Sequence, residues 1–154
     1  MATSLNISDG RQEFHINGDP KRVIWINTND TGIITRAKRE VKKLEALQEE
    51  VILAEQTLNE DAYIDMLEKS EDVAKKTINM IFAADIADTV FGLLSPFAIV
   101  KNENGRRITY MESFFDSIMP YIEKGIDGTV KEFQASKQRM AKYTNKYARN
   151  SDNA

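Results

Sequence analysis

From Glu13 onward, polar and apolar positions alternate. Phe14 and Ile16 stand against Glu13, His15 and Asn17, the period of a strand with one covered face. Gly18-Asp19-Pro20 supplies turn residues, because glycine tolerates positive φ and proline presets its own. Val23-Ile24-Trp25-Ile26 is a β-branched and aromatic run that reads as a second strand. The pattern predicts a hairpin over 13–27, with Trp25 as its core anchor. Two strands alone are marginal in water, so the hairpin must pack on the helical remainder of the chain.

Asn27 to Thr31 is dense in capping residues, and Asp30 or Thr31 is placed to start a helix. Ile34, Ala37, Val41, Leu44, Val51 and Leu58 then recur at helical spacing, giving one apolar stripe on a long helix. Asn59-Glu60-Asp61 marks a link. A second helix is predicted from about Ala62 to Phe91, burying Tyr63, Met66, Leu67, Ala74, Ile78, Ile81 and Phe82. Its end, IFAADIADTVFG, is apolar nearly all round, which places it at the centre of the core or under another subunit. Gly92 ends the helix, and Leu93 to Phe97 form an apolar connection.

Asn102-Glu103-Asn104-Gly105 is a turn signature. The third helical pattern runs from Thr109 to about Tyr147, with Met111, Phe114, Phe115, Ile118, Ile122, Ile126, Val130 and Phe133 as its stripe. Pro120 should kink or divide it, and Gly125 and Gly128 weaken it further. These elements predict an α+β fold, mainly α: a short N-terminal β-hairpin packed on a bundle of about three long helices. The expected organisation is a flexible N-terminus over 1–12, a single domain over 13–149 and a disordered tail over 150–154.

Composition narrows the classes. A chain of 154 residues suits one domain with its own core. Cysteine is absent, which excludes disulfides, thiolate metal sites and a cysteine nucleophile, and suits a reducing compartment. A net charge of -3 gives no bulk attraction to nucleic acid or anionic lipid. The most apolar run, Met80 to Val100, is interrupted by Asp85, Asp88 and Pro96, so no membrane span is expected. The start, MATSLNISDGRQ, lacks the basic and apolar regions of a secretion signal. The expectation is a cytoplasmic protein, not secreted.

Candidate chemistry is sparse. His15 is the single histidine, and no H-E-x-x-H, P-loop, G-x-G-x-x-G or G-x-S-x-G spacing occurs. As a base His15 would need an organised partner, and an inert surface histidine is the simpler reading. Asp85 and Asp88, three apart on one expected helical face, could hold a metal or act as acid and base. With no second acidic pair in a matching context, a polar stripe on a buried helix is preferred. In the first helix Arg36 to Lys43 precede Glu45 to Glu55, an order that opposes the helix dipole and reads as a solvated face. Lys131, Lys137, Arg139, Lys142, Lys146 and Arg149, with Tyr143 and Tyr147, could contact nucleic acid by charge and stacking. The negative total favours a partner helix or a frayed end. No enzyme, metal site or cofactor is expected.

The segment FHINGDPKRVIWINTNDTGIITRAKRE resembles the start of the small tail assembly chaperones of long-tailed phages and prophages of Gram-positive bacteria. Gly18, Asp19, Arg22, Val23, Ile24, Ile26, Asn27 and Asp30 carry the likeness: a strand, a GD turn, a second strand and an N-x-x-D cap opening a long helix. Thr28 stands where that pattern often has proline. The resemblance implies a non-enzymatic siphovirus protein that coats the tape-measure protein before tail tube subunits polymerise around it. It also implies a possible link to the tail tube protein and absence from the finished particle.

A chaperone of this kind needs apolar surface on helices and many weak contacts. The candidate partner-binding residues are Phe91, Leu93, Leu94 and Phe97, with Met140, Tyr143 and Tyr147 towards the C-terminus. Self-association is expected, because the stretch from Phe82 to Phe97 is more apolar than a small monomer needs. Two other classes stay open. One is a structural virion protein of the tail completion or connector type, joining neighbours through the hairpin edge. The other is a nucleic-acid-binding regulator, which needs the tail charges and Arg36 to Lys43 on one face.

Overall fold

The alternation near the start folds as predicted. In this computed structural model, the backbone is described for residues 1–127 and 129–152, and side chains through 143 except 128, 130 and 142. Strand β1 (Gln12–His15) pairs antiparallel with β2 (Val23–Ile26), from Gln12 opposite Ile26 to His15 opposite Val23. Between them a 3-10 turn at Ile16–Gly18 carries positive φ at Asn17 and Gly18. The Ile16 N–H closes this turn by donating to the Arg22 carbonyl at 2.8 Å.

Ile24 and Ile26 are buried, whereas Trp25 is 50% exposed. Successive strand residues face opposite ways, so two buried isoleucines force the residue between them outward. Trp25 is therefore not the core anchor that its size suggests.

Helix α1 (Gly32–Thr57) starts under Asp30, whose Oδ1 accepts from the Gly32 N–H at 2.8 Å; Thr31 makes no side-chain cap bond. The buried face begins at Ile33 rather than the expected Ile34, which is 39% exposed. It continues through Glu40, Leu44 and Ala54, and Leu58 at the far end is exposed. These buried positions are seven, four and ten residues apart, each a sum of three- and four-residue steps, which keeps one seam against a neighbour along a long helix. That neighbour is α2 (Glu60–Phe82), the most extensive packing partner of α1. Asn59 turns the chain between them, its Oδ1 accepting from the Ala62 N–H at 2.9 Å.

The predicted second helix does not reach Phe91. Ala83 adopts the left-handed conformation, φ 51° and ψ 42°, and ends α2. A short helix, α3 (Ala87–Phe91), then starts in a new direction. Asn79 makes the corner: its Oδ1 accepts from the N–H groups of Ile86 and Ala87, both at 2.8 Å. Breaking the helix lets Ile81, Phe82, Ile86, Ala87, Val90 and Phe91 all be buried, which one straight helix with a solvent face would not allow. Gly92 ends α3 with φ 59°.

Arginines occupy the carbonyls left over at these helix ends, where the ladder supplies no donor. Arg36 donates to the Ile81 carbonyl at 2.9 Å and Arg11 to that of Ala83 at 2.8 Å. Arg22 donates to the carbonyls of Thr89 and Val90, the latter at 2.7 Å. All three lie in or beside the N-terminal hairpin and the start of α1, so the hairpin is pinned to the end of the α1–α2 pair.

The Asn102–Gly105 turn is present, and it joins two strands that the sequence pattern did not predict. These are β3 (Ile99–Lys101) and β4 (Arg107–Thr109), which form a second antiparallel hairpin. Helix α4 (Tyr110–Ile126) follows directly, capped by Thr109 Oγ1 on the Glu112 N–H. Pro120 lies inside α4 without dividing it. Both Pro120 and Asp116, whose carbonyl loses its donor, sit on the exposed side, where water can serve instead. The division falls at Asp127, before α5 (Thr129–Asp152).

Phe82 meets Phe114 edge-on, 5.4 Å between ring centres, and Phe14 meets Tyr121 in the same way at 5.4 Å. These contacts close α4 over the core and onto β1. Gly125 lets α4 come close to the loop before α1, because a Cβ there would run into the Thr28 carbonyl oxygen. The result is an α+β fold, mainly α, with a short N-terminal hairpin packed on helices. Among the described residues there are five helices, four of them long, because the third predicted helix is two.

Candidate functional site

The residues expected to meet a partner fall into three groups. Phe91 is corrected: it is 1% exposed, packed on Tyr110 at 5.6 Å between ring centres, and belongs to the core. The helix break at Ala83 turns α3 inward and takes Phe91 with it. Phe97 is half-buried against the same core. Leu93 and Leu94 are exposed, Leu93 fully, in the loop that leaves Gly92.

The other candidates lie on α5, where Phe133, Met140 and Tyr143 are all more than half exposed. The side chain of Tyr147 lies outside the described residues. Thus Leu93 and Leu94 on one loop, and Met140 and Tyr143 on a helix distant in sequence, are the expected residues presented at the surface. Phe133, expected in a buried stripe, joins them.

One groove has no counterpart in the sequence pattern. It measures about 600 Å³ and runs between α1 and α4, floored by Leu44, Ile52, Met111, Phe115 and Met119. Glu45, Glu49 and Glu112 also line it. A second groove of about 380 Å³, lined by Tyr63, Leu67, Phe97 and Ile99, shares Gln48 and Ile52 with the first. The one sequence signal is Ile52, an apolar residue off the predicted stripe of α1.

A cleft of about 390 Å³ separates the N-terminal hairpin from α4, with His15, Lys101, Ser113, Ser117 and Tyr121 among its walls. Two of its polar groups are engaged locally. The His15 ring lies 2.9 Å from Glu13, and the Ser117 hydroxyl donates to the Ser113 carbonyl at 2.9 Å. No base–nucleophile pair arises from these bonds.

The acidic pair also changes meaning. Asp85 sits in the corner before α3 and accepts from Asn79, while Asp88 in the first turn of α3 pairs with Lys75 at 3.3 Å. They do not share one continuous helical face, since α2 ends at Phe82. Among the described residues no three acidic or histidine side chains converge as they would on a metal ion.

Much of the positive run of α1 is used within the fold. Arg36 pairs with Asp30 at 2.6 Å as well as with the Ile81 carbonyl. Arg39 and Lys43 flank the buried Glu40, at 2.9 and 3.0 Å. Their hydrogen bonds, Lys43 first and then Arg39, hold the Glu40 carboxyl below its ordinary value against the opposing effect of burial.

Among the described residues no helix is long and apolar enough to cross a membrane. Comparison with protein-family models, curated proteins and solved structures found no match to this chain.

Proposed function

We propose that the chain is a non-enzymatic tail assembly chaperone, acting in the cytoplasm of a bacterial host on a long, amphipathic tape-measure protein. The observation that carries this reading is the apolar surface presented by Leu93, Leu94, Phe133 and Met140, each at least half exposed. Surfaces of this kind hold amphipathic helices by many weak apolar contacts and need no reaction centre. The hairpin, GD turn and Asp30-capped helix, the segment that resembles such chaperones, supports the same reading.

Co-expression with a long helical protein encoded beside it is the test. The chain should keep that protein in the soluble fraction. Leu93→Lys with Leu94→Lys should lose much of the effect while leaving the helical circular dichroism unchanged. Precipitation of the long protein with or without the chain would remove the proposal.

One observation favours a second reading, a structural component of the particle. Trp25 is half exposed on a sheet that, among the described residues, has two strands and no further strand on its edges. Such an edge can extend onto a neighbouring subunit. In that case a Trp25→Lys change would block particle assembly rather than solubility of a partner.

A further inference from the structure

The α1–α4 groove and helix α5 are opposite in charge. Along the groove and its continuation, acidic residues stand beside the apolar floor: Glu45, Glu49 and Glu112, then Glu55 and Glu71. Among the described residues no lysine or arginine lines either part. Helix α5 has the opposite character. Phe133 and Met140, seven residues apart and so on one helical face, are 57% and 59% exposed. Lys137, four residues after Phe133 and three before Met140, borders that face and is exposed; Lys131 and Arg139 are exposed further round the helix, with Glu132 as the acid of the first turn.

The groove is also long enough for the exposed stretch of α5. The groove lining on α1 extends from Ala37 to Glu55, about 27 Å of helix at 1.5 Å per residue. On α5 the exposed apolar residues Phe133 and Met140 span about 11 Å on the same rise, which the groove accommodates. In its own chain, among the described residues, none of α5 lines the groove, and Phe133 and Met140 remain more than half exposed.

We propose that the groove between α1 and α4 is the docking site for helix α5 of a second copy of this chain. Apolar residues of α5 fill the floor between Leu44, Ile52 and Phe115, and its basic residues face Glu45 and Glu49 on the rim. Each copy offers one helix and one groove, so reciprocal exchange closes a two-fold dimer, while one-way exchange builds a chain of subunits. Apolar burial supplies the affinity, and the charges set register and respond to salt. Docking of α5 covers Phe133 and Met140, so a copy paired in this way presents only Leu93 and Leu94 of the apolar surface proposed above, and the sedimentation test reads the pairing without any other partner present.

Sedimentation of the full chain over a range of concentrations and salt tests the pairing by charge exchange. The wild type should associate at micromolar concentration and dissociate more readily as salt is raised. Glu45→Lys with Glu49→Lys, and separately Lys137→Glu with Arg139→Glu, should each weaken association at least about tenfold. All four positions are exposed, so both variants should keep wild-type circular dichroism. Mixed in equal amounts, the two variants should pair with each other, because both contacts then join opposite charges. A wild type monomeric at every concentration would overturn the proposal, including the case in which α5 folds back into its own groove. So would variants that associate as the wild type does, or a mixture that fails to pair.

Discussion

The Arg36 guanidinium donates to the Ile81 carbonyl at 2.9 Å, tying the first turns of α1 to the last turn of α2 across forty-five positions of sequence. The same side chain holds Asp30, which caps α1, at 2.6 Å. One arginine therefore joins the start of a helix, the cap of that start and the end of its antiparallel partner.

Replacing Arg36 with methionine keeps most of the apolar stem and removes these bonds. The Ile81 carbonyl then loses its donor, and Asp30 its counter-ion, at a partly buried site. The expected loss is about 2 kcal/mol, read as a lower urea midpoint with an unchanged slope.

Gly125→Ala should destabilise, although the same change inside an ordinary helix stabilises by about 1 kcal/mol. The added methyl meets the backbone oxygen of Thr28, which cannot move without shifting the loop that starts α1. A loss of about 1–3 kcal/mol in thermal or urea unfolding is expected.

Ala83 gives the opposite sign. It is exposed, holds φ 51°, and ends α2 in the conformation that glycine adopts freely. Ala83→Gly removes the left-handed penalty and gives back part of the gain through a more flexible unfolded chain. The net expectation is a gain of about 0.5–1 kcal/mol in unfolding free energy.

This corner also shows where the sequence is legible and where it is not. The hairpin, the turn at Gly18, the link at Asn59 and the long helices follow from local pattern and capping chemistry. The break at Ala83 does not, because alanine is a good helix former and its left-handed backbone is imposed from outside. Asn79, Arg11 and Arg36 take the groups that a continued helix would have paired. Phe91, expected at the surface, is consequently core, and Trp25 is the reverse. The three-residue strands around Asn102 are too short to show alternation. The α1–α4 groove is hidden for another reason: it joins residues such as Leu44 and Met119 from different helices, and only packing reveals it.

Glu40 adds a pH dependence. Its carboxyl is held below the ordinary value of 4.5, so the folded state favours the charged form. Its contribution is present above that value and is lost as pH falls through the lowered folded value. Glu40→Gln should flatten the stability–pH profile in that acidic window and leave its shape near neutrality unchanged. An unaltered acid limb in urea unfolding between about pH 5 and 3 would show that Lys43 and Arg39 do not act on Glu40 in this way.

The most direct test of the proposed chaperone role compares two fractions, lysate and purified particles, from bacterial cells that express the chain from its own locus. Quantitative mass spectrometry should find the chain bound to a long helical protein in the lysate and absent from purified particles. Stoichiometric presence in the particles, without a long helical partner in the lysate, would contradict a chaperone and make the protein a structural subunit.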